Sequence, residues 1–164
     1  MDGNYKLRPI TIEDVNFLYS VYASTRQEEL ALVGWDNQQK DTFLRMQFDA
    51  QHRYYTENYR NARFQIVEVD GRPAGRLYVD RRAAEIRIVD IALLPEYRRQ
   101  GFGTALLGEI QAEGGRLNLP VSIHVEMLNP AIQLYYRLGF RLVEDKGVYL
   151  LMEWTPPDRD WEQL

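Results

Sequence analysis

Hydrophobic residues recur at helical spacing in two stretches of the N-terminal part of the chain. Thr11, with Asp14 three residues later, is a typical helix start and predicts a helix over residues 12–27. Over residues 38–59, leucine and aromatic side chains return every three or four positions, which predicts a second, longer amphipathic helix. Residues 5–9 precede both helices and predict the first strand.

Short apolar runs bounded by turn residues predict the strands in the remainder of the chain. The Asp70-Gly71 pair suits the positive φ angles that a tight hairpin turn needs, so residues 64–69 and 74–79 are expected to pair. Residues 85–94 form a longer apolar strand, which Pro95 ends because proline cannot continue the ladder. Three further strands are predicted over residues 121–125, 140–144 and 148–154.

Two more helices are predicted between these strands. One covers residues 103–113 and is closed by Gly114 and Gly115, which suit the left-handed conformation at a helix C-terminus. The other opens at Asn129, a good capping residue, and ends at Gly139. The order β-α-α-β-β-β-α-β-α-β-β predicts an α/β (α+β) fold with a mixed central sheet of about seven strands, flanked by about four helices on both faces.

Composition narrows the class of protein. The chain has 164 residues, of which 45% are hydrophobic and 27% charged, as is typical of one soluble globular domain. We expect that domain over residues 1–154, followed by a loosely ordered tail over residues 155–164. The net charge of -4 argues against nucleic-acid and membrane partners. With no cysteine, two histidines and no signal or membrane-spanning stretch, we expect a cytoplasmic protein without a metal site.

The strongest chemical signal is the junction between the long apolar strand and the next helix. Gly101 and Gly103 lie where that helix begins, and the unpaired N–H groups and partial positive charge of a helix N-terminus can hold a diphosphate. Arg98 and Arg99 add positive charge within an acidic chain. Three further arginines are candidates to reinforce the site: Arg81, Arg82 and Arg87.

The same glycines also permit an ordinary strand-to-helix turn with solvated arginines. Two nucleotide-binding loops are disfavoured. A dinucleotide-binding loop needs a third glycine where this chain has Leu106. A phosphate-binding loop of nucleoside triphosphatases ends in Lys followed by Ser or Thr, and no such pair closes this segment.

Arg98, Gly101 and Gly103 resemble the acyl-CoA-binding motif of the GNAT superfamily of acetyl-CoA-dependent N-acetyltransferases, in which Arg or Gln is followed by two residues, Gly, one residue, and Gly or Ala. Residues 129–140 are similar to the family's Asn…Ala…Leu-Tyr…Gly-Phe pattern and follow at a fitting distance. The resemblance covers about residues 63–154. It implies a single-domain GNAT fold whose central sheet is splayed in the middle.

The resemblance also implies acetyl-CoA as co-substrate and assigns roles to residues. In the family, the strand before the loop pairs with the pantetheine arm, and the loop binds the diphosphate. The cofactor-binding residues expected from it are Ile91, Ala92, Leu93, Arg98, Arg99, Gln100, Gly101, Phe102, Gly103, Thr104 and Asn129. The tyrosine four residues before the second motif's glycine reaches the cofactor sulfur, which selects Tyr135, rather than Tyr136, as the acid for the leaving thiolate. The alternative is a core tyrosine with a polar partner.

Three carboxylates are candidates for the general base that deprotonates the amine: Glu85, Asp90 and Glu126. Asp90 lies in an apolar strand, which fits either a partly buried base or a structural carboxylate paired with Arg87 or Arg76. Aligned on the cofactor loop, Arg87 falls where some histone-type relatives carry a catalytic glutamate. That role therefore cannot be transferred to this chain.

The histidines and aromatic residues allow further interpretations. His124, within a strand, is predicted to be packed and hydrogen-bonded, and His52, on the long helix, to lie at the surface. One set of aromatic residues either forms part of the core or walls a pocket for a cationic amine. Its members are Trp35, Phe43, Phe48, Tyr54, Tyr55 and Tyr59.

The sequence therefore predicts an N-acetyltransferase. The acetyl group passes from acetyl-CoA to a primary amine of a small molecule, amino acid or peptide by direct attack, because no nucleophile for an acyl-enzyme is evident. Two alternatives are a non-catalytic acyl-CoA-binding sensory module and a protein lysine or N-terminal acetylase. The chain is compatible with a monomer or a homodimer.

Overall fold

The computed structural model describes residues 4–157, which contain seven strands, five α-helices and two short 3-10 helices. The strands are β1 Tyr5–Pro9, β2 Arg63–Val69, β3 Arg72–Arg81, β4 Ile86–Leu93, β5 Val121–Glu126, β6 Arg141–Asp145 and β7 Tyr149–Trp154. The helices are α1 Val15–Ser24, α2 Gln27–Ala31, α3 Asn37–Asn58, α4 Phe102–Leu117 and α5 Ile132–Arg137, and the 3-10 helices are Ile12–Asp14 and Pro95–Tyr97.

The strands form one mixed sheet in the order β1-β2-β3-β4-β5-β7-β6. Strands β4 and β5 are parallel, whereas the β1–β2, β5–β7 and β6–β7 pairs are antiparallel. The predicted mixed sheet of about seven strands is confirmed. The described residues form five α-helices, where about four were predicted. None of the helices within residues 4–157 is long and apolar enough to cross a membrane.

The helix predicted over residues 12–27 ends early, and the extra helix, α2, lies almost entirely beyond it. Residues Ile12–Asp14 form a 3-10 turn, and the chain leaves the helix again after Ser24. The hydroxyls of Ser24 and Thr25 donate to the carbonyls of Val21 and Tyr22, at 2.7 and 2.6 Å. Such bonds compete with the helical ladder, so α1 ends and α2 starts as a separate element.

The described chain forms two compact units. The N-terminal unit comprises residues 4–77 and Ile91–Arg98, and the C-terminal unit comprises Tyr78–Asp90 and residues 99–157. The single domain expected over residues 1–154 stays a prediction. Most of the expected tail, residues 158–164, lies outside the described residues.

In the N-terminal unit, aromatic packing joins α1 to α3. The rings of Tyr19 and Tyr22 lie 5.8 and 6.1 Å from that of Phe48, which is 2% exposed. His52 stacks on Phe48 at 5.7 Å and is half-buried, so the prediction that it lies at the surface is wrong. Of the aromatic set, Phe48 belongs to the core, whereas the exposed members include Trp35.

The predicted hairpin is present in the same unit. Asp70 and Gly71 have φ angles of 51° and 79°. Further along β3, Gly75 lies directly against β4. A Cβ atom there would overlap the Ala92 carbonyl oxygen and lie 2.9 Å from Leu93 Cα. Only glycine therefore permits this close approach of the two strands.

In the C-terminal unit, β4 and β5 diverge. Their register has three residue pairs and stops at Ile88↔Ile123. The next β4 residues within this unit, Val89 and Asp90, do not continue the ladder, whereas β5 goes on pairing with β7. This divergence confirms the splay that the family resemblance implies.

Helix α4 is longer than predicted, because Gly114 and Gly115 do not end it. Asn118, with φ 56°, takes the left-handed position, and the Leu119 N–H donates to the Gly114 carbonyl at 2.9 Å. A Cβ on Gly114 would lie 2.8 Å from the Leu119 carbonyl oxygen. Gly114 therefore serves close packing rather than chain reversal, and the predicted helix end is wrong.

Helix α5 begins three residues after the predicted opening. The Asn129 side chain accepts a hydrogen bond from the Ala131 N–H at 2.8 Å and so stabilises a turn before the helix. Gly139, with φ 94°, follows the helix, in agreement with the predicted end. Strands β6 and β7 begin within one residue of their predicted starts, and Gly147, with φ 89°, lies in the turn between them.

Candidate active site

The loop before α4 turns through two positive φ angles, 62° at Arg99 and 88° at Gly101. Gly101 is the N-cap residue and has no side chain of its own to cap the helix. The Ala105 N–H makes the first helical bond, to the Gly101 carbonyl at 3.0 Å. The preceding N–H groups have no acceptor within the helix, so the first turn of α4 has the geometry that binds an anion.

Gly103 differs from Gly101 in what its backbone requires. It has no positive φ, and an added Cβ would lie 3.7 Å from Leu134 Cδ2, an ordinary van der Waals contact. Alanine would therefore fit at this position. This agrees with a motif that accepts Gly or Ala at its last position. Phe102, between the two glycines, is 3% exposed and anchors the start of the helix.

Tyr135 lies on α5 with 4% of its surface exposed, and its ring contacts that of Phe140 at 5.6 Å. Burial raises the pKa of the Tyr135 phenol well above its usual range, and the negative charge of Asp90 raises that pKa further. The phenol is therefore protonated at neutral pH. The structure thus brings the predicted acid and one candidate base into electrostatic contact within one unit.

Glu85, the residue before β4, lies in a hydrogen-bonded network with residues of β4 and β5. One of its carboxylate oxygens accepts from Arg87 Nε at 3.0 Å and from the Ser122 hydroxyl at 2.5 Å. Arg87 also donates to the Ser122 hydroxyl at 2.8 Å and lies 3.2 Å from His124 Nδ1. The hydrogen bonds described for Arg87 thus go to these three residues rather than to Asp90. Ser122, a member of this network, was not singled out from the sequence.

His124 is half-buried between two cations, with Arg87 on one ring nitrogen and Lys146 on the other, each at 3.2 Å. Burial lowers the pKa of the imidazole, and the positive charges of Arg87 and Lys146 lower it further. The predicted packed and hydrogen-bonded histidine is confirmed.

The remaining arginines considered for the loop form ion pairs. Arg81 makes two hydrogen bonds to Glu113, at 2.6 and 2.9 Å, and Arg82 contacts Asp80 at 2.9 Å. Among the described residues, no three histidine, aspartate or glutamate side chains cluster closely enough to hold a metal ion.

In the N-terminal unit, the end of β4 is held by hydrogen bonds. Arg98 donates through Nε to the Leu93 carbonyl at 2.9 Å and through Nη2 to the Ser24 hydroxyl at 3.2 Å. The Leu94 N–H donates to the Ala74 carbonyl at 2.8 Å. Together with Gly75, Ala74 holds β4 at this point. Neither residue was identified from sequence, although a glycine inside a strand is a usable signal of close backbone approach.

Comparisons with known proteins agree with this geometry. The acetyltransferase (GNAT) family model matches residues 26–140. The structure of PaiA N-acetyltransferase from Thermoplasma acidophilum in complex with coenzyme A has a TM-score of 0.70 and 18% identity, and the match covers 93% of this chain and 99% of that chain. An acetyltransferase from Thermus thermophilus has a TM-score of 0.63 and 22% identity, and the match covers 92% of this chain and 95% of that chain.

The ribosomal-protein-S18-alanine N-acetyltransferase from Escherichia coli has a TM-score of 0.60 and 18% identity, with 93% of this chain and 94% of that chain covered. No curated protein matches the sequence. The solved structures share the fold, and the family model covers more than half of the chain. The protein therefore belongs to the acetyltransferase (GNAT) family and is an acyltransferase.

Proposed function

We propose that the protein transfers the acetyl group of acetyl-CoA to a primary amine of a small molecule, amino acid or peptide by direct attack. One observation carries this proposal. In the same unit, α4 begins at a glycine N-cap with a positive φ, so the amides of its first turn have no acceptor within the helix, and α5 carries a buried, protonated tyrosine. A diphosphate site and a hydrogen-bond donor for the leaving thiolate are two of the parts that the reaction needs from the chain.

The diphosphate of the co-substrate would be held by the backbone from Arg99 to Thr104. The positive end of α4 favours an anion there, and the exposed Arg99 side chain adds charge. The buried Phe102 fixes the start of the helix, so its amides need no reorganisation on binding.

The backbone of Ile91, Ala92 and Leu93 would pair with the pantetheine arm. Arg98 supports this role from the protein side, because its bond to the Leu93 carbonyl holds the end of β4. Asn129 contributes by stabilising the turn before α5, the helix that carries Tyr135.

The thioester supplies an acyl group that a neutral amine can attack. Tyr135 donates to the departing thiolate. Because burial and Asp90 raise the pKa of the phenol above that of an ordinary thiol, about 8.5, full proton transfer is unfavourable, and the phenol acts mainly as a hydrogen-bond donor.

Asp90 is proposed as the base, rather than Glu85, because it interacts with the proposed hydrogen-bond donor Tyr135. The Glu85 carboxylate accepts hydrogen bonds from Arg87 and the Ser122 hydroxyl at one of its oxygens. Asp90 is close enough to Tyr135 to raise the pKa of the phenol. It would therefore take the proton that the acceptor ammonium loses before the neutral amine attacks, directly or through water, near the donor for the leaving group.

The test follows free-thiol release from acetyl-CoA across a panel of amines, together with calorimetric binding of acetyl-CoA. Tyr135→Phe should lower kcat about 10- to 100-fold, toward the lower end of general-acid effects, and should change the Kd of acetyl-CoA less than about twofold. Tyr136→Phe is the matched control, because this neighbour is 45% exposed and should behave like the wild type.

Three outcomes separate the alternatives. Unchanged turnover in Tyr135→Phe would remove the tyrosine from the mechanism. Tight acetyl-CoA binding without thiol release for any amine would favour a sensory module. Turnover with a folded protein, but with no small molecule, amino acid or short peptide, would favour a protein acetylase.

A further inference from the structure

The geometry of β6 points to an interface with a second copy of this chain, in which the two β6 strands pair antiparallel. Strand β6 is the last in the sheet order, and all five of its residues are exposed. Two of them are apolar: Leu142 is 46% and Val143 is 56% exposed. A sheet edge of this kind presents backbone donors and acceptors to another strand.

The register between β6 and β7 decides which β6 side chains share a face. Arg141 lies opposite Glu153, and Glu144 lies opposite Leu151. Glu153 and Leu151 are two residues apart, so their side chains point to the same face of the sheet. Opposed residues also share a face, so Arg141 and Glu144 lie on one face although they are three residues apart. The register shift between Leu142 and Glu144 makes this possible.

A symmetric antiparallel pair of strands brings together only residues that share a face, because the two-fold axis runs perpendicular to the sheet. In a regular strand, residues three apart could not meet in this way. The register shift between Leu142 and Glu144, a β-bulge, allows Arg141 and Glu144 to meet here. Arg141 of one copy then lies opposite Glu144 of the other, at both ends of the pairing, with Leu142 and Val143 of both copies between them.

Opposite charges therefore meet at both ends of residues 141–144, and the residues between them are apolar. Two opposite-charge pairs flank an apolar centre, and cross-strand pairs of both kinds stabilise antiparallel strands. An unrelated partner would have to match this pattern independently, whereas a second copy supplies it by symmetry. We therefore assign the second copy as the occupant, independently of the proposed function.

Sedimentation velocity over a concentration series tests the assignment. The full chain should dimerise, and Arg141→Glu or Glu144→Arg should each weaken dimerisation roughly 10- to 30-fold, because each reverses two symmetry-related pairs. The double variant Arg141→Glu/Glu144→Arg should restore the wild-type affinity, because its charges are again opposite. Glu109→Arg, an equal charge reversal at an exposed position of α4, should have no effect.

Amide hydrogen exchange gives a second readout that needs no variant. Exchange over β6 should slow as the protein concentration rises, with no change over α4. A monomer at every concentration would overturn the proposal and mean that the bulge protects this edge. A dimer that ignores both single reversals, or that the double reversal does not restore while thermal melting stays normal, would overturn it equally.

Discussion

Replacing Gly101 by alanine tests whether the loop geometry matters for co-substrate binding. A φ of 88° costs a residue with a Cβ atom about 1–2 kcal/mol. If the loop keeps its shape, that cost lowers the free energy of unfolding by about 1–2 kcal/mol. If the loop relaxes, the amides of the first turn of α4 move, and an equal loss in binding would weaken acetyl-CoA affinity about 5- to 30-fold.

Gly103→Ala is the matched control. At this position φ is not positive, and the new Cβ would lie 3.7 Å from Leu134 Cδ2. Alanine is the better helix former by up to about 1 kcal/mol, so this variant should be as stable as the wild type or more stable. Urea denaturation measures the free energy of unfolding, and calorimetry measures the Kd of acetyl-CoA. The reasoning is refuted if Gly101→Ala changes neither quantity, or if both variants lose the same amount.

Two further predictions concern stability. Arg8 donates to both carboxylate oxygens of Asp14 at 2.9 Å and lowers the pKa of Asp14 from 3.8 to about 2. The stability that this ion pair adds is fully present above the pKa of Asp14 in the unfolded chain and is lost as the pH falls toward 2. Asp14→Asn should therefore lower the free energy of unfolding, measured by urea denaturation, by about 1–2 kcal/mol at neutral pH and by less near pH 2–3. An equal loss at both pH values would contradict the pairing. In α4, Gly114→Ala should destabilise the protein by about 1–3 kcal/mol, because the new Cβ would meet the Leu119 carbonyl. Gly115→Ala should stabilise it by up to about 1 kcal/mol, because the new Cβ would meet none of the described residues. Melting temperatures in the reverse order would contradict this packing.

The elements that could be predicted are those specified by neighbouring residues. Helix α3 begins and ends within one residue of the prediction, because Asp36 caps it through the Gln39 N–H at 2.8 Å and its apolar spacing is regular. The hairpin turn at Asp70 and Gly71 needs only the two residues that form it.

The errors arose where a distant contact changed the meaning of a local signal. Gly114 and Gly115 resemble a helix end, but the end is decided by the packing of Gly114 against Leu119 and Trp154. His52 has the pattern of an exposed helix residue, yet it stacks on Phe48. Neither contact is encoded in the residues next to the one that was misjudged.

The candidate site shows the same division between local and tertiary information. In the sequence, Arg98 and Arg99 are two adjacent positive charges before the loop glycines. The backbone separates them, because Arg98 is extended, with φ -79° and ψ 157°, whereas Arg99 has φ 62°. Arg98 donates to the Leu93 carbonyl and the Ser24 hydroxyl, and Arg99 remains exposed. We therefore infer that Arg98 positions the end of β4 and that Arg99 supplies charge to a bound diphosphate, a distinction that requires the conformation of the loop.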